Sequence, residues 1–161
     1  MQLRKVVLTL TILASLSTLT ACGAGESAAS RNITKVTDGA ETSVTNETSD
    51  LKLRGFLVVA QPDGSAVVVG TIVNSHEAPD SLLGISVNNT LATLAAATNT
   101  ISQGSPMIFE GDSANAKAVV PASGIKAGNH VEISFFFKDA GVVTVSAIAR
   151  DQRDTYAGVT A

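Results

Sequence analysis

Val131-Glu132-Ile133-Ser134-Phe135-Phe136-Phe137-Lys138-Asp139-Ala140-Gly141-Val142-Val143-Thr144-Val145-Ser146-Ala147-Ile148-Ala149 is the stretch on which the fold turns. Its first seven residues put Val131, Ile133, Phe135 and Phe137 on one face of an extended chain, because successive strand side chains point to opposite sides. Asp139-Ala140-Gly141 supplies turn residues, and Val142 to Ala149 resumes with β-branched residues as a closing strand. Working outward, Leu51-Lys52-Leu53-Arg54 alternates and Phe56 to Ala60 is an apolar run. The Pro62-Asp63-Gly64 turn and the strand Ala66 to Val73 complete a hairpin. Ser81 to Val87 predicts a further strand, after the loop Asn74 to Pro79. Pro106 to Glu110 and Ala116 to Val120 predict short strands around Gly111-Asp112, and Ser123-Gly124 and Ala127-Gly128-Asn129 read as turns. Residues 91–101 stay open between strand and helix, since the alanines permit a helix and the threonines favour a strand. The pattern is all-β, with about seven or eight short strands at the spacing of a β-sandwich.

Composition agrees. The chain of 161 residues holds five Phe, one Tyr and no Trp, so the core must be built from Val, Ile, Leu and Ala. The formal charge is −3; loss of Arg4 and Lys5 with an export signal leaves nine basic against fourteen acidic residues, or −5. A mildly acidic chain without a Lys/Arg cluster excludes a nucleic-acid partner, which needs a basic footprint.

The first 21 residues have the order of a secretory signal: a basic start at Arg4-Lys5, an apolar run from Val6 to Leu19, and small residues before a cleavage point. The apolar run is shorter than the roughly 20 residues of a spanning helix. Leu19-Thr20-Ala21-Cys22 matches the lipobox, and Cys22 is the only cysteine. The expectation is a lipoprotein: cleavage before Cys22, acylation of its thiol, and anchoring on the extracytoplasmic face of the cell membrane. Residues 22–50 sustain no apolar period and predict a flexible tether with an r.m.s. reach of roughly 30 Å. Residues 51–150 are the domain, and 151–161 read as a polar tail that Tyr156 would dock.

Three motifs in order resemble the periplasmic PCu(A)C copper chaperones, with closest similarity to the actinobacterial LpqE-type lipoprotein branch. They are Gly70-Thr71-Ile72-Val73-Asn74 with Ala78-Pro79-Asp80-Ser81-Leu82-Leu83-Gly84-Ile85, then Ile125-Lys126-Ala127-Gly128 before Val131 to Phe137, then Ala140-Gly141-Val142-Val143-Thr144-Val145. The resemblance spans about residues 51–150. It implies a cupredoxin-like or immunoglobulin-like β-sandwich and extracellular carriage of Cu(I), commonly toward cytochrome oxidase assembly, through two His and two Met. Carried onto this sequence, that ligand set fails. The His-x-Met step falls near Asn115-Ala116-Lys117, and the upstream ligands fall within Leu91 to Asn99, where the residues are Leu, Ala, Thr and Asn. Cu(I) prefers soft sulfur donors, and beyond the signal the chain holds one Met, Met107. The copper site is therefore expected to be absent.

Other chemistry is sparse. His76, Glu77 and Asp80 share a loop expected to be solvated, because charged residues mostly stay exposed. His130 and Glu132 share a face at a strand start, and Met107 beside Ile108 and Phe109 reads as core filler. Neither a nucleophile elbow nor a phosphate-binding glycine loop is present, so no enzyme is expected. Few aromatics argue against a small-molecule pocket between the sheets. The leading expectation is a non-catalytic accessory subunit that binds an envelope protein, a respiratory complex first, with no cofactor. The alternative is a carrier of copper or another metal with a rearranged site of His76, Met107, His130 and carboxylates.

Overall fold

The computed structural model describes residues 38–121 and 124–161. The lipobox, Cys22, the first part of the expected tether, and half of the Ser123-Gly124 turn lie outside them. Eleven strands follow in chain order: β1 (Ala40–Thr45), β2 (Asp50–Ala60), β3 (Ala66–Asn74), β4 (Asp80–Val87), β5 (Thr90–Leu91), β6 (Thr93–Ala96), β7 (Thr100–Ile101), β8 (Met107–Ile108), β9 (Ala116–Val120), β10 (His130–Phe137) and β11 (Val142–Asp151). Residues 91–101 thus resolve as strands: β5 and β7 pair with β4, and β6 pairs with β9.

The quoted segment forms β10 and β11, paired antiparallel from His130↔Ile148 to Phe136↔Val142. Val131, Ile133, Phe135 and Phe137 are all buried, as the alternation requires. A continuous hydrogen-bonded path runs β5-β4-β10-β11-β2-β3-β9-β6. It folds over at the parallel β11–β2 junction, which brings β6 and β9 back against β4. The result is an all-β, nearly closed sandwich with the core inside. Phe56 sits at its centre, with ring centroids 4.6 Å from Phe135 and 6.0 Å from Phe109, both edge-on.

The β2–β3 hairpin is apolar on both faces for a definite reason. Arg54 pairs with Thr71 and Leu57 with Val69, so Gly55 and Phe56 together face Gly70. This bulge, with Gly55 at φ +66°, shifts the side-chain alternation by one residue. Before it, Leu51 and Leu53 enter the main core; after it, Phe56 and Val58 do. Leu57 and Val59 then point to the other side, where they form a second cluster with Val67 and Val159.

Two expected boundaries move. Ala40–Thr45, expected within the tether, is a strand along β2, from Ala40↔Phe56 to Thr45↔Asp50. β11 covers only residues 58–60 of that edge, so the remaining backbone groups of β2 need a partner, and a polar strand supplies one. The expected tail docks: Val159 is 2% exposed, and Gln152 Nε2 donates to its carbonyl at 2.7 Å. Tyr156 packs beside it, and burial, with the Asp38 charge second, raises its phenol above the usual range. Val159→Asp is expected to cost about 2 kcal/mol or more, by removing apolar burial and placing a charge on Leu57 and Val59. A urea midpoint no lower than that of the parent would refute the docking role.

Candidate functional site

The first motif of the resemblance builds one end of the sandwich. Asn74 closes β3, is buried, and satisfies its whole amide. Its Nδ2 donates to the carbonyls of Ala78 and Ile101, each at 2.9 Å, and its Oδ1 accepts the His76 N–H at 2.8 Å. Asp80 opens β4 and is 2% exposed. Its carboxylate accepts the backbone N–H of Asp139 at 3.0 Å and of Ala140 at 2.9 Å, across the β10–β11 turn. Its own next amide, Ser81 N–H, donates to it at 2.6 Å. The expectation of a solvated Asp80 is therefore corrected. The strand begins one residue before the expected Ser81, and Asp80 is a buried clamp with backbone donors in place of a cation.

The residues proposed for a rearranged metal site do not converge. His76 is half-buried in the β3–β4 loop, where its Nδ1 accepts the Ala78 N–H at 3.1 Å. That lone pair is engaged within the loop. Glu77 is exposed. Met107 is 4% exposed in β8, opposite Ile72, and belongs to the core. His130 is exposed at the first position of β10. The clamped 139–140 turn follows the other end of β10, about 23 Å away at the usual rise per residue. His76 and His130 thus stand at opposite ends of the sandwich. Among the described residues, no group of three or more His, Cys, Asp or Glu is placed to hold a metal ion.

The positions onto which the resemblance carries the copper ligands do meet. β6 and β9 pair through Ala95↔Lys117 and Ala96↔Ala116, and the Ala97 N–H donates to the Asn115 carbonyl at 3.2 Å. An open cleft of about 600 Å³ lies there. Ala95, Ala96, Asn115, Ala116 and Lys117 of the paired segments line it with Phe109 and Glu110, and Gly158 and Thr160 of the docked C-terminus reach it. Asn115 is already committed: its Oδ1 accepts the Ile108 N–H at 2.8 Å and its Nδ2 donates to the Pro106 carbonyl at 2.9 Å. The alanines offer no donor atom, and Lys117 brings a cation. A soft cuprous ion does not fit this donor set. The sequence pointed to this place through motif order. The contributions of Glu110, Gly158 and Thr160 were missed, because nothing local in the chain signals that the C-terminus folds back here.

No family model matches the chain, and no curated protein matches it. Solved structures do. The chain is similar to the apo PCuAC domain from PmoF1, with TM-score 0.56 and 20% identity over 69% of this chain and 98% of that one. It is similar to the copper-bound PCuAC domain from PmoF2, with TM-score 0.55 and 19% identity over 69% and 97%. The apo form of the PmoF2 domain gives TM-score 0.54 and 16% identity over 71% and 97%. The described chain therefore has the fold of a PCuAC domain, cupredoxin-like and all-β.

Proposed function

We propose that the chain is a membrane-anchored, extracytoplasmic lipoprotein, whose copper-chaperone-like domain acts as a non-catalytic accessory or interaction subunit of an envelope complex. The observation that carries this reading is the cleft lined by the paired ends of β6 and β9. The motif order assigns that place to metal ligands, and the chain puts Ala95, Ala96, Asn115, Ala116 and Lys117 there. A PCuAC-like fold with alanine at those positions keeps its surfaces and loses its soft donors. The lipobox, Leu19 to Cys22, supports anchoring, and the order of lipobox, tether and the three domain motifs, which resembles the LpqE-type branch, supports the pairing of anchor and domain. A respiratory oxidase complex is the first partner to test, on analogy with the work of copper chaperones near such enzymes.

The test is fractionation followed by affinity purification from detergent-solubilised membranes. The parent chain is expected in the membrane fraction with a stoichiometric protein partner, and Cys22→Ser is expected in the soluble fraction. A parent recovered alone contradicts the subunit role. A Cys22→Ser chain that stays in the membrane contradicts the anchor.

A further inference from the structure

Three large apolar side chains are left exposed among the described residues: Leu83 at 65%, Leu91 at 67% and Val142 at 64%. They come from three strands and meet on one surface. Phe136 of β10 lies beside Gly84 on one side and Val142 on the other, and Leu91 lies opposite Ser86. A Cβ on Gly84 would lie 3.8 Å from Leu91 Cδ1 and 3.9 Å from Phe136 Cδ2, so those two side chains flank the bare glycine. Leu83 is the extra residue where Phe136 faces Gly84 and Phe137 faces Leu82, a bulge that turns it outward. The polar neighbours are cheap to dehydrate: the Ser134 and Thr144 hydroxyls bond each other at 3.0 Å. On the outer face of β10 the titratable groups stand at the margins, His130 and Glu132 at one end and the Lys138–Asp139 ion pair past the other.

We propose that this uncharged face rests on the bilayer surface to which Cys22 anchors the chain; the inference rests on the lipoprotein reading. Chain length supports the occupant. Fifteen residues separate Cys22 from Asp38, enough to span about 50 Å when extended. Asp38 is tied to Arg150 at 2.7 Å, near the end of the strand that Val142 begins, about 26 Å from the apolar face. The linker is thus long enough to bring the anchored cysteine under that face. Patch size argues against a second copy: three exposed side chains and one half-buried ring fall well short of the about 800 Å² per partner of a stable interface. A weak apolar contact is nevertheless populated when a tether holds the effective concentration near about 1 mM. The domain would then lie with the outer face of β4, β10 and β11 toward the lipid.

The chain contains no Trp, so a single introduced Trp is a background-free reporter. The mature chain is held on zwitterionic vesicles through an N-terminal hexahistidine and a nickel-chelating lipid, which supplies the tether whether or not Cys22 is acylated. Leu91→Trp and Val142→Trp are each expected to shift their emission to the blue on vesicle addition and to lose intensity with brominated acyl chains. Thr93→Trp, on exposed β6, is expected to do neither. Solvent-like emission from both patch reporters on loaded vesicles overturns the proposal. A blue shift that tracks protein concentration without vesicles also overturns it, in favour of self-association. Failure of the anchor reading is seen separately, as absence of lipid on Cys22 by mass spectrometry.

Discussion

Phe56→Ala is expected to lower stability by about 3–5 kcal/mol, the usual cost of emptying a buried aromatic site. Against a typical total of roughly 5–15 kcal/mol this comes close to unfolding the domain. The ring is fully buried and is the one that touches both Phe135 and Phe109, so its loss opens a cavity between the two layers. Gly70 makes room for it. A Cβ at Gly70 would come 2.5 Å from Phe56 Cδ1, and its φ of +146° disfavours any L side chain. Gly70→Ala alone is therefore expected to cost about 2–4 kcal/mol, through overpacking and backbone strain. The pair makes a sharper test than either variant. With the ring gone, most of the clash at residue 70 disappears, so the double variant should be clearly more stable than the sum of the single losses indicates. Strict additivity in urea denaturation would contradict the packing of Phe56 on Gly70.

Asp80→Ala is the second large effect, expected at about 2–4 kcal/mol, because two backbone donors across the β10–β11 turn lose a charged, buried acceptor. Asp80→Asn keeps one oxygen and is expected to lose less. Amide hydrogen exchange separates this from general destabilisation. The Asp139 and Ala140 amides should exchange quickly in Asp80→Ala at denaturant-free conditions, while those in the middle of β10 stay protected. Unchanged protection at Asp139 and Ala140 would show that the carboxylate does not hold the turn.

These two sites also show what the chain discloses and what it withholds. The β10–β11 strands are legible because one face alternates without interruption from Val131 to Phe137. The hairpin Asp50 to Asn74 is legible as strands but not as faces. Gly55 looks like an ordinary break, and only the pairing of Arg54 with Thr71 and Leu57 with Val69 reveals that the inward positions change parity there. β1 is invisible to hydropathy: Glu41, Thr42, Ser43 and Thr45 are polar, and the strand exists because an unpaired edge of β2 needs backbone partners. Asp80 misled for a related reason. A carboxylate in a polar loop is usually solvated, and the donors that bury this one lie 59 and 60 residues later. The two segments onto which motif order carried the ligand positions pair as β6 and β9, a contact that no local pattern in either segment announces. The apolar face around Gly84 was not legible either, because Leu83, Leu91 and Val142 come together only through strand register.

Titration with Cu(I) is the most direct test of the central reading, that the segments meeting between β6 and β9 no longer hold a cuprous ion. The protein is the mature chain carrying Cys22→Ser, which removes the only thiol, and a competing chelator holds the metal at the start. The chelator is expected to keep the copper, with no one-to-one protein complex at any point of the titration. Tight capture of one equivalent, lost in His76→Ala or in His130→Ala, would contradict it and make the chain a metal carrier.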